Sequence, residues 1–273
     1  MFGSMAWPEN QPSLLCCANL QYGSIRVRRQ PSRQSKSDKI DGEKIFMKTK
    51  TIFTNILLGL SLAACVNHSV KESTIIAAIE ESNIEFAKNA NGRPSGTWRW
   101  PGTPSQPVTV FLVAPNNQQE RDYADKVNRA IAQINASLYG LVLLTKTEVS
   151  PSSGNYIRVS YGTSYVPNGS HDYPAYCSNV STGPGLGVPI VPDAKNGIAS
   201  TPVYINLGNG HCDVTVDMVT HEFGHALGLA KHFDGFGRGG TSPISNLFWD
   251  VLATLYANPA STLAGGITVR RAR

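Results

Sequence analysis

The sequence predicts an α+β domain in which a mixed, twisted sheet is backed by helices. Three observations carry that expectation. Short β-branched runs recur between residues 108 and 207. Two longer segments, 120–138 and 214–230, space their apolar residues at helical intervals. Strands and helices mix through the middle of the chain, and two helices follow the last strand. With 273 residues, 41% of them hydrophobic and 16% charged, the chain has material for one or two domains with a buried core. No apolar run approaches the ~20 residues that a spanning helix needs. The formal charge of +5 sits wholly in residues 1–65, which carry nine Lys/Arg against four Asp/Glu. Residues 66–273 carry fifteen of each, so no nucleic-acid partner is expected.

The elements follow in order. Residues 1–46 are polar and basic without a helical or strand period, and read as a leader or an over-long start. Residues 47–64 begin Met47-Lys48-Thr49-Lys50 and continue into a short apolar stretch, the pattern of a secretory signal. That stretch ends in Leu62-Ala63-Ala64-Cys65, which resembles the lipobox of bacterial lipoproteins. The resemblance implies cleavage before Cys65, acylation of its sulfur and attachment to a lipid bilayer of the bacterial cell envelope. Residues 65–107 form an N-terminal helix at 72–89, read as a stalk or prosegment, and a Gly/Pro/Ser/Trp-rich linker that packs onto the domain. The domain proper, 108–273, opens with a strand at 108–113 and a helix at 120–138. Strands at 141–149 and 156–161 come next, then a loop-rich stretch, 162–201, long enough to hold an edge strand. A strand at 203–207, a helix at 214–230 entered through Asp213 as N-cap, and a last helix at 244–256 complete it.

Cysteine usage fits export. With Cys16 and Cys17 in the leader and Cys65 as the lipid site, Cys177 and Cys212 remain. In an oxidising compartment a Cys177–Cys212 disulfide is favoured over two free buried thiols.

The chemistry-bearing segment is His221-Glu222-Phe223-Gly224-His225-Ala226-Leu227-Gly228-Leu229-Ala230-Lys231-His232. On a helix, His221 and His225 share a face one turn apart, so both imidazoles can reach one Zn²⁺ at ~2.0–2.1 Å. Glu222 stands beside the first ligand, in the general-base position of a zinc peptidase. Gly228 can take positive φ and end the helix, so the chain returns and His232 becomes the third ligand. No Glu follows Glu222, which leaves Asp234 and Asp250 as the acidic alternatives. His171, Asp172 and His211 are too sparse for a second metal site, and residues 193–197 are too poor in oxygen ligands for a calcium loop.

Residues 221–229 resemble the zinc helix of the metzincin metallopeptidases, in wording closest to matrixins. The third His falls one residue later than in most of that group, a spacing similar to that of archaemetzincins. The resemblance implies a zincin-like fold with a backing helix, an active-site helix and a C-terminal helix. It also implies a Met-containing turn beneath the metal. No Met follows Met218, so Ile244, Leu247 and Leu252 are the candidates for that place. The expected function is therefore a zinc-dependent metalloendopeptidase that hydrolyses protein or peptide substrates at the envelope. The alternative is a noncatalytic zinc-binding or adhesive lipoprotein on the same fold.

Overall fold

The computed structural model describes residues 70–86, 96–181, 202–237 and 243–273. The chain divides between Ala63 and Ala64, and every described residue belongs to the second unit, Ala64–Arg273. The leader, the signal segment, Cys65 and residues 193–197 lie outside the described residues.

Five strands form one mixed sheet: β1 (Val108–Leu112), β2 (Leu144–Thr147), β3 (Ile157–Tyr161), β4 (Ser178–Ser181) and β5 (Val203–Leu207). Their order is β2-β1-β3-β5-β4, parallel throughout except for β4, which runs antiparallel to β5. The predicted edge strand inside 162–201 is thus present as β4. Parallel neighbours bury the middle strands, and β1, β3 and β5 read as nearly continuous β-branched and aromatic runs for that reason.

Among the described residues, four α-helices accompany the sheet: α1 (Glu72–Ile79), α2 (Gln118–Ser137), α3 (Val216–Ala226) and α4 (Asn246–Ala257). In α2 the predicted period holds, since Tyr123, Val127, Ile131 and Ile134 are all buried. Asn117 caps α2 by accepting from the Glu120 amide at 2.9 Å, while the Glu120 carboxylate accepts from the Asn116 amide. These reciprocal bonds satisfy donors that a helix start leaves open.

The segment read as a stalk or prosegment packs as part of the core. Ile75 and Ile79 of α1 are fully buried, and α1 lies against α4. A π turn, Glu80–Ile84, continues α1 and buries Ser82, Asn83 and Ile84. The linker also packs inward, with Trp98 and Trp100 buried. At the other end, the tail is fastened to α4. Asn258 bridges to the Thr268 backbone, and Asp250 pairs with Arg271 at 2.8 Å. Asp250 is thereby engaged in holding the tail rather than available as a ligand.

Cys177 and Cys212 form the expected disulfide, with Cα atoms 5.8 Å apart. It joins the residue before β4 to the chain leading into α3.

Candidate metal centre

Helix α3 begins later than the sequence indicates. Thr215, not Asp213, is the N-cap, and its hydroxyl accepts from the Met218 amide at 3.1 Å. Both residue types suit a cap. Asp213 is taken instead by Lys126 of α2, at 3.0 Å.

His221 and His225 stand one turn apart on α3, and the helix stops at Ala226. Gly228 then adopts φ 111°, a conformation that side chains disfavour. The return brings His232 back, and the three Nε2 atoms converge. They lie 3.0 Å apart for His221–His225, 3.1 Å for His225–His232 and 3.0 Å for His232–His221. His225 Nδ1 donates to the Leu229 carbonyl, so its Nε2 carries the lone pair. Each Nε2 carries either one proton or one lone pair, so hydrogen bonds among the three cannot satisfy all three contacts, whereas one cation among them would. The donor set therefore fits a metal ion that takes imidazole nitrogen. Among the described residues this is the one group of His, Cys, Asp or Glu close enough to hold a metal. Asp234 is exposed and outside it. His211 instead packs against Tyr173, with ring centroids 4.2 Å apart and the planes tilted by 31°.

Electrostatics favour the neutral rings that coordination requires. Burial, and then the neighbouring His232, lowers the His221 pKa to about 3. Burial followed by the other two imidazoles holds His225 well below its usual range.

The floor of the site is Phe236. Its ring centroid lies 4.7 Å from that of His221, 4.8 Å from that of His225 and 5.2 Å from that of His232. Gly235 and Gly237 on either side have φ 87° and 88°, so the chain turns tightly enough to place the ring under the imidazoles. Phe248 of α4 supports Phe236 edge-on at 5.2 Å. Gly224, between the two helical His residues, makes that packing possible. A Cβ there would come within 2.6 Å of the Phe248 ring.

Glu222 is buried beside His221, and the Ser178 hydroxyl at the start of β4 donates to its Oε1 at 2.8 Å. Burial raises its pKa to about 7, and the Ser178 bond pulls in the opposite direction. Ser178 and Phe236 escaped the sequence reading. Ser178 adjoins a paired Cys and Phe236 is bracketed by glycines, and those were the local signals that could have marked them.

In comparisons with known proteins, the sequence matches no family model and no curated protein.

Proposed function

We propose that this chain is a zinc-dependent metalloendopeptidase of metzincin type, exported and anchored by lipid at a bacterial envelope. The observation that carries this reading is the convergence of His221, His225 and His232 at 3.0–3.1 Å, with the buried Glu222 next to His221 in sequence. Three imidazoles from one helix and its return would hold zinc and leave a fourth position open to water or substrate. Bound zinc supplies Lewis acidity to an attacking water and to the scissile carbonyl. Glu222 accepts the proton of that water and delivers it to the leaving amine. A pKa near neutrality suits a group that must both take and give a proton, and Ser178 keeps one carboxylate oxygen oriented meanwhile. Strand β4 stands at the end of the sheet and pairs only with β5 among the described residues. Its outer edge offers main-chain donors and acceptors for an extended peptide.

Zinc analysis of purified protein, with casein or peptide-library digestion in the presence and absence of a chelator, tests the activity. About one zinc per chain and chelator-sensitive cleavage are expected. Zinc without cleavage of any substrate would favour the noncatalytic binding protein. The anchor rests on Leu62-Ala63-Ala64-Cys65. Expression in a bacterial host should yield a lipid-labelled protein beginning at Cys65, and Cys65→Ser should abolish the label. A water-soluble product that retains residues 1–64 would reject the anchor.

A further inference from the structure

We propose that Asn83, on the N-terminal helix, is a positioning residue for the metal centre, acting through the return that carries His232. This rests on the metal-centre reading above. The return leaves α3 at Ala226, and its four successive carbonyls, Ala226 to Leu229, each accept a side-chain donor. Trp100 Nε1 donates to Ala226 at 2.6 Å, the Tyr256 hydroxyl to Leu227 at 2.9 Å and Asn83 Nδ2 to Gly228 at 2.7 Å. His225 Nδ1 takes the fourth. A helix end normally leaves such carbonyls to water or to a cap. Here the protein supplies a partner for each, two of them from the N-terminal segment.

Asn83 also joins this arrangement to the Trp98 backbone. Its side chain is fully buried and also donates to the Trp98 carbonyl at 2.8 Å while accepting from the Trp98 amide at 3.1 Å. The neighbouring Ser82 carbonyl accepts from the amides of Ala230, at 2.8 Å, and Lys231, at 3.4 Å. The π turn thus grips the return on both sides of Leu229 and up to the residue before His232. That stretch contains the extra residue that makes the interval from His225 to His232 longer than most metzincins would have it. Gly228 is confined as well. A Cβ there would meet the Trp98 carbonyl at 3.3 Å and Asn83 Nδ2 at 3.4 Å. An apolar residue at 83 would leave the Gly228 carbonyl and the Trp98 backbone groups without these partners. The amide therefore serves to set the path of the backbone, and with it the reach of the third imidazole.

The test compares Asn83→Ala with Asn258→Ala. Asn258 is also a buried amide with three backbone bonds, to Thr254 and Thr268 and none to the return. Zn²⁺ affinity of the folded proteins is read by competition with a chromogenic chelator, Co²⁺ coordination by visible absorption, and stability of the metal-free forms by thermal melting. Both variants should melt lower. Only Asn83→Ala should also lose affinity, by ~10–100-fold as expected for a group that orients a ligand, with an altered Co²⁺ spectrum. If Asn83→Ala does not fold, Asn83→Ser, which keeps one hydrogen-bonding group, should show a smaller change of the same kind. Either folded Asn83 variant with wild-type affinity and spectrum would overturn the proposal. So would an equal loss of affinity in Asn258→Ala. A wild-type protein that binds no Zn²⁺ would remove the metal-centre reading and this inference with it, a result distinct from the others.

Discussion

A buried carboxyl group with one hydroxyl donor is easier to keep neutral than charged, and Glu222 is in that position. Its pKa rises from 4.5 to about 7, so between those values the folded protein holds a proton that the unfolded chain has released. The ionised form therefore costs stability increasingly as pH rises from 4.5 to 7, and in full above that. Glu222→Gln should retain near-stoichiometric zinc and lose activity ~10²–10⁴-fold. In the metal-free protein above neutral pH it should be more stable, by up to about 3 kcal/mol, as denaturant titration would measure. The two imidazoles titrate in the opposite sense. His221 and His225 have lowered pKa values, so the folded metal-free protein binds fewer protons than the unfolded chain below about 6.5. Its stability should fall as pH drops from there towards 3. Protons compete poorly for those two ligands, so between about pH 7 and 5.5 zinc affinity by equilibrium dialysis should fall no faster than protonation of one group, the third ligand His232, would make it. A steep loss over that interval would mean that the rings are not held neutral.

Helix α3 meets α4 through a glycine, and that contact governs both packing and site. Gly224→Ala should destabilise the protein by ~1–3 kcal/mol through overpacking against Phe248, despite a helix-propensity gain of about 1 kcal/mol. Adding Phe248→Leu should recover part of the loss, a coupling that urea denaturation of the four variants would reveal. Purely additive effects would argue against the contact. The course of α3 was only partly legible in the sequence. The spacing of His221, Glu222 and His225 was plain because it is local, but the helix expected to reach residue 230 ends at Ala226. The cap was read two residues early because Asp213 and Thr215 are both capping types, and only the fold shows Lys126 claiming Asp213. The place of Phe236 was missed for a related reason. Glycines announce a turn, but not what lies above it.

Over the whole molecule, the strands, α2, the last two helices and the Cys177–Cys212 pair could all be read from the sequence, since each depends on period, length or composition. Partners far apart along the chain could not. Asn83 meets Gly228 across 145 residues, and Ser178 meets Glu222 across 44. Neither pairing leaves a mark in local patterning. The burial of α1 was hidden too, because an amphipathic helix looks alike whether it covers its own domain or another surface. The disulfide makes one more such link, between β4 and the entry to α3. It closes a separation of 35 residues and fixes the approach to β4 against the approach to α3. Its reduction should cost ~2–4 kcal/mol and lower the melting temperature. A reduced protein that melts with the oxidised one would show that the sheet edge needs no such tie.

A phenyl ring under three imidazoles also changes how the centre ages. Methionine in such a place can be converted to its sulfoxide, which is polar and bulkier, whereas the hydrocarbon ring of Phe236 has no sulfur to oxidise. The last methionine of the chain is Met218, buried in the first turn of α3. Peroxide treatment that oxidises accessible methionines should therefore leave zinc content unchanged. Loss of zinc in step with sulfoxide formation at Met218, followed by mass spectrometry, would be the contrary result.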